Sequence, residues 1–155
     1  MINILILIFY YFFILLSILG YGIYFLKIFE KRIIRNNFGY VGLFGLYTLL
    51  IYSYLSNFII AHSELHNLIL LAIGFILFFL NCLKNYSEYQ KSIFLTFIVF
   101  ALISSSLFLY KNHDDFAYYH FPYTYYLTQQ SFYIGVGQFN HGFRTPSSIF
   151  YINSL

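Results

Sequence analysis

Apolar residues occupy this chain in long unbroken blocks, not at every second position as in a half-buried strand. Four blocks stand out, at 4–26, 38–61, 67–83 and 92–110, and none contains a proline or a charged side chain. A helix crossing the hydrocarbon core needs about 20 such residues, with roughly 17 as the lower limit. Each block is therefore predicted to be a transmembrane helix, the third being the shortest. Because the blocks carry no polar stripe, they suit lipid on all sides better than the half-wet surface of a soluble domain. The expected fold is an all-α membrane protein whose four spans alternate in direction through short loops, so that sequence neighbours pack antiparallel. The first block has no basic segment before it and far exceeds the ~7–15 residues of a signal-peptide core, so it reads as an uncleaved span.

The polar stretches between the blocks predict orientation. Lys27, Lys31, Arg32 and Arg35, against one Glu30, follow the first block, and Lys84 and Lys91, against Glu88, separate the third from the fourth. The stretch between the second and third blocks has neither Lys nor Arg. Six of the eight basic residues thus fall on one side, which the positive-inside rule makes cytoplasmic. The N-terminus and residues 111–146 are then outside. The same sorting places His62, His66, His113, His120 and His141 outside, together with Glu64, Asp114 and Asp115.

After the fourth block the pattern changes. Residues 111–115 form a polar turn, and 116–130 are aromatic and helix-compatible, the composition of an interfacial helix. Pro122 is expected to kink that helix or to mark its first turn. Gly135, Gly137 and Gly142, with Asn140, predict a loop. Residues 147–155 turn apolar again and are expected to open a fifth span without completing it, as if the chain were the N-terminal part of a longer protein. In the second block Gly39, Gly42 and Gly45 recur at intervals of three, and small residues of this kind let helices approach closely in lipid.

Composition strengthens the membrane reading. The chain has 155 residues, 61% hydrophobic and only 8% charged, where a soluble domain carries about 25% charged residues. It cannot cover its own surface with polar groups, and lipid removes that need. Aromatics make up 25%, with no Trp. Codon usage in an A- and T-rich genome would inflate Phe and Tyr, so single aromatics carry little weight. The single Cys82 excludes an intramolecular disulfide, and a scattered net charge of +3 gives no footprint for nucleic acid.

Three clusters could carry chemistry. His62-Ser63-Glu64-Leu65-His66 has two histidines at i and i+4, a spacing able to hold a metal, but it lacks the glutamate position of zinc proteases and suits a polar interfacial turn better. In Lys111-Asn112-His113-Asp114-Asp115, repulsion between adjacent aspartates could raise one pKa and make a general base; the pair could instead ligate a divalent cation. The same aspartates suit the cap of a helix N-terminus. In Gly135-Val136-Gly137-Gln138-Phe139-Asn140-His141-Gly142-Phe143-Arg144, the glycine spacing matches no nucleotide fingerprint. Arg144 can hold a phosphate bidentately or be an ordinary arginine near head groups.

The run HDDFAYYHFPYTYYLTQQSFYIGVGQFNHGFRTPSSIFYINSL, from His113 to Leu155, resembles a segment of large bacterial multi-span proteins that look like members of the C-type membrane glycosyltransferase superfamily. In those a D-x-x-x-Y-H stretch leads into a G-x-G/A-x-x-N run. The resemblance implies an acidic motif in an outer loop, at the start of an interfacial helix, matched here by Asp114 and Asp115. It implies sugar transfer from a polyprenyl-phosphate donor at the outer face of the bacterial inner membrane, with Asp114 or Asp115 as base and, in some branches, a divalent cation. His120, His141 and Arg144 are assigned to substrate binding by inference from their chemistry. The superfamily places its motif after the first span and needs many further spans, so this chain by itself is expected to lack a complete active site. The contrasting expectation is a small four-span protein with a structural or partner-binding role. A transporter fits less well, because no span carries a charge to mark an ion path.

Overall fold

The computed structural model describes residues 2–29, 36–108, 114–144 and 147–155, and within these every regular element is helical. Glu30, Lys31, Arg32 and Arg35 of the basic loop, and Lys111 and His113, lie outside the described residues. Helix α1 is Ile2–Ile28, α2 Phe38–Asn57, α3 Glu64–Lys84 and α4 Tyr86–Ser104, the last continuing into a 3-10 turn at Ser105–Phe108. A wide π turn, Phe116–His120, leads into α5, Phe121–Gln129. Two 3-10 turns follow, Val136–Gln138 and His141–Arg144, and then α6, Ser148–Asn153.

Among the described residues, three helices are long and apolar enough to cross a membrane: Ile4–Ile28, Phe38–Asn57 and Glu64–Lys84. They are the helices of an integral membrane protein by length and composition. The third is longer than the block 67–83 from which it was expected, because Glu64 opens it and Lys84 closes it, each charge complementing the helix dipole. The second ends earlier than 61: Asn57 closes α2, and a turn over 58–60 follows. The fourth differs most. Its helix starts six residues before the block, and Ser87, Glu88, Gln90 and Lys91 fill its first turns, so the apolar helical part from Ser92 to Ser104 is too short to meet the same criterion.

The described chain divides into two compact units. The first comprises Met1–Thr48 and Ile69–Tyr110. Its core holds Leu19, Ile23, Leu26, Phe38, Val41, Phe78, Cys82 and Tyr89. Helices α1 and α2 run antiparallel and nearly touch: a Cβ on Gly22 would fall on the Val41 carbonyl, and one on Gly45 on the Ile18 carbonyl. Against α3, Gly20 meets Gly74 in the same way. Polar groups join this second seam. The buried Ser17 hydroxyl donates to the Leu71 carbonyl at 2.7 Å, and the Tyr21 hydroxyl to the Leu70 carbonyl at 2.7 Å. Each such bond between helices in lipid contributes about 0.6 kcal/mol.

The three glycines of α2 do not share one seam. Gly45 is buried against Ile18, Gly42 makes ordinary contact with Leu19, and Gly39 is exposed. A helix turns about 100° per residue, so steps of three drift by about 60° each, and Gly39 and Gly45 end on different faces. Exposed side chains such as Phe94, Phe97, Ile98 and Leu102 of α4, and Leu5, Ile6 and Phe9 of α1, form apolar surfaces that suit lipid contact.

The second unit comprises Leu49–Leu68 and Lys111–Leu155. Tyr123, Leu127, Val136, Phe150 and Tyr151 form its buried core, with Tyr54, Tyr119, Tyr126 and Phe143 packed around them. Tyr54 stacks on Tyr151 with ring centroids 4.2 Å apart, and Tyr123 meets Phe143 edge-on at 5.0 Å. Ser147 caps α6 by accepting the Ile149 N–H.

Candidate functional site

Asp114 and Asp115 form the turn that opens the helical segment 116–129. Asp114 is exposed and Asp115 half-buried. The Asp115 carbonyl accepts the N–H groups of Tyr118, Tyr119 and His120 at 3.2, 3.1 and 3.4 Å, and the Phe121 N–H reaches back to the Phe116 carbonyl to complete the π turn. The cause of this widened turn lies just ahead. Pro122 has no N–H to give the Tyr118 carbonyl four residues back, and its ring crowds that carbonyl. The Asn140 side-chain amide supplies the missing donor, at 3.1 Å from the Tyr118 oxygen. Its own carbonyl accepts the Gly142 N–H at 2.8 Å.

Asn140 thereby couples the second and third sequence clusters. Gly142 lies flat against Tyr119, where any Cβ would enter the ring. His120 is half-buried, its ring 4.4 Å from Tyr119 and edge-on to Phe150 at 5.2 Å. His141 is exposed. Arg144 is also exposed, with its stem over Gly137 and its Nε donating to the Gly137 carbonyl at 3.3 Å. Asp114, Asp115, His120, His141 and Arg144 therefore belong to one unit, on two turns that pack together. Among the described residues no three His, Cys, Asp or Glu side chains gather as metal ligands.

The first cluster behaves differently from a polar surface turn. His62 is fully buried. Its Nδ1 lies 2.6 Å from the Ser154 hydroxyl and its Nε2 2.9 Å from that of Ser56. Ser154 gives its own proton to the Tyr151 carbonyl at 2.8 Å, so Nδ1 carries the hydrogen and donates, while Nε2 accepts from Ser56. One neutral tautomer pairs both ring nitrogens, with the Ser56 proton going to Nε2 at 2.9 Å and not to the Ser53 carbonyl 3.4 Å away. Burial, and secondarily the neighbouring His66, push the His62 pKa down to about 4, which keeps the ring neutral near pH 7. The backbone is tied as well: the His62 N–H donates to the Leu127 carbonyl at 3.0 Å, and the Asn67 amide donates to the His62 and Ser154 carbonyls at 3.0 and 2.7 Å.

Those two donations fix the orientation of the Asn67 amide, so its oxygen must accept from His66 Nδ1 at 2.9 Å. His66 Nε2 then faces the Tyr52 hydroxyl at 2.8 Å. The His62 and His66 rings stack at 5.2 Å and 9°, which points their nitrogens at separate partners and not at one shared ion. The i, i+4 spacing was visible in the sequence. The serines that occupy His62 were not, since Ser154 is 92 positions away. Nearby, burial also raises the phenol pKa of Tyr123, whose hydroxyl is 3.4 Å from that of Tyr151.

Comparison with known proteins finds no matching family model, no matching curated protein and no matching solved structure.

Proposed function

We propose that this chain is part of a glycosyltransferase-like membrane protein that moves a sugar from a polyprenyl-phosphate donor at the outer face. In this reading α4 makes a fourth crossing, the N-terminus and residues 111–146 are outside, and the segment 116–129 lies at the interface of the inner membrane. Asp114 is the base: its exposed carboxylate takes the proton of an acceptor hydroxyl, the hydroxyl oxygen bonds to the anomeric carbon, and the bond from that carbon to the phosphate oxygen breaks. Arg144 meets the departing phosphate, and His120 and His141 flank the donor. The supporting observation is the packing of the π turn on the His141–Arg144 turn, which gathers residues widely spaced in sequence into one unit.

The test uses the longer protein of which this chain is proposed to be part, in proteoliposomes with a polyprenyl-phosphate sugar labelled in the sugar. Asp114→Asn should lower transfer by about 10²–10⁴-fold, the usual contribution of a general base, with the variant still inserted. Transfer undiminished in both Asp114→Asn and Asp115→Asn would remove the proposed base.

A second reading, a small helical membrane protein that holds a partner, is favoured by one observation. The buried polar groups His62, Ser56 and Ser154, and the half-buried Asn67, are spent on the chain's own structure. Under that reading both aspartate variants leave every sugar-transfer assay unchanged and a stable partner co-purifies.

A further inference from the structure

The first unit contains an elongated cavity of about 860 Å³ bounded by α1, the start of α2 and α4, within the roughly 300–1,000 Å³ of ligand pockets. Along α4 its wall is Leu95, Val99 and Ile103, one stripe at i, i+4 and i+8, each about half exposed. Ile14 and Ile18 of α1 and Gly42 of α2 face it from the other sides. At one polar end Lys91 and Ser92 meet Asn36 and Asn37, and the Ser92 hydroxyl donates to the Asn36 carbonyl. That end is also the amino terminus of α2, where Asn37 accepts the Gly39 N–H at 3.0 Å and the helix dipole favours negative charge. From Lys91 to Ser104 the wall runs about 20 Å at 1.5 Å per residue, enough to span the roughly 15 Å of one leaflet's hydrocarbon and reach its head groups.

We propose that this groove seats one acyl chain of an anionic phospholipid, with the lipid phosphate at Lys91 beside the α2 amino terminus. The apolar wall matches a chain, its length spans one leaflet, and of its two polar ends, Ser104 and Ser106 at one and Asn36, Asn37, Lys91 and Ser92 at the other, only the second has a cationic side chain among the described residues. A helix from elsewhere, or a second copy of this chain, would cover the apolar wall but would bring no phosphate to Lys91. The site uses none of the residues assigned to sugar transfer, so it stands or falls separately from that reading.

Native mass spectrometry of the purified protein, offered phosphatidylglycerol or phosphatidylcholine with identical chains, tests it. The expected result is one retained phosphatidylglycerol, with phosphatidylcholine held several-fold less well. Lys91→Gln should weaken phosphatidylglycerol by about fivefold, the effect of one lysine beside an anionic head group, and weaken phosphatidylcholine, whose phosphate is neutralised by its own choline, by less. Val99→Trp, which fills the groove from an exposed position, should abolish retention of both while helicity by circular dichroism stays constant; Gly42→Leu serves if that variant does not fold. Equal retention of the two lipids, insensitivity to Lys91→Gln, or lipid retained undiminished in the filled variants would each overturn the proposal. So would a dimer that excludes lipid and dissociates in Val99→Trp.

Discussion

Acidification should strike this protein first at His62. Its folded-state pKa, about 4, is depressed from the ordinary 6.5 by burial, so the neutral ring stabilises the fold fully above about pH 6.5. That contribution is lost as the pH falls towards 4, because the unfolded chain binds the proton first. At 1.36 kcal/mol per pKa unit the full shift corresponds to about 3 kcal/mol. Protection factors of amides in 49–68, 114–144 and 147–155, taken against the intrinsic exchange rate at each pH, should therefore fall between pH 6.5 and 4, and His62→Asn should flatten that dependence while losing about 1–3 kcal/mol at pH 7 through the unpaired serines. Protection factors independent of pH in the parent chain would mean the ring is not held neutral by its surroundings. Asn140 carries a smaller share for a different reason. It replaces the hydrogen bond that Pro122 cannot make, and because that bond is exposed, Asn140→Ala should cost about 0.5–1.5 kcal/mol, the net contribution of one hydrogen bond. The same thermal unfolding series should show Asn140→Asp also destabilising, since a carboxylate cannot donate.

Among the elements, the close crossings of α1 decide how the first unit packs. Gly45→Leu drives a side chain into the Ile18 carbonyl and forces α1 and α2 apart, at about 1–3 kcal/mol or more. Gly39→Ala, on an exposed face of the same helix, should be close to neutral. Unfolding in mixed micelles separates the two outcomes, and equal sensitivity would argue against the crossing. These helices were legible because unbroken apolar blocks are a direct consequence of lipid as solvent, and α1 and α3 fall where the blocks stand. The boundaries shifted where polar residues join a helix: Glu64 and Lys84 lengthen α3, and Tyr86 to Lys91 start α4 inside what reads as a basic loop. Of the glycines at intervals of three only Gly45 lies at the α1 crossing, because that spacing drifts round the helix, and the other close-packed glycines, Gly20, Gly22 and Gly74, lie on α1 and α3. The helical segment 116–129 was legible from its composition, but its π turn was not, since that turn arises from Pro122 and Asn140 acting together across 18 positions. His62 illustrates the same limit: a residue's own segment shows its chemistry, whereas its burial depends on partners such as Ser154 that no local pattern reveals.

For the whole molecule the open quantity is the number of crossings, and the chain offers a clean way to count them. Cys82 is its single cysteine and is buried in α3; Cys82→Ser gives a thiol-free background. Ser87→Cys then places a thiol on the exposed start of α4, and Gln130→Cys one on the exposed end of α5. If α4 crosses the membrane, a membrane-impermeant maleimide added to intact cells labels one of these positions and reaches the other only after permeabilisation. With the basic residues of the loops inside, Gln130→Cys is the one labelled first. Labelling of both from the same side would leave three crossings and place α4 along the membrane surface. That outcome would also move Asp114 and Arg144 to the face where Lys91 lies, and the outer-face sugar donor would have no route to them. The experiment therefore bears on chemistry as well as topology: only an even number of crossings from the N-terminus to Asp114, α1 included, keeps the acidic pair on the side of the N-terminus, where a polyprenyl-phosphate sugar would meet it.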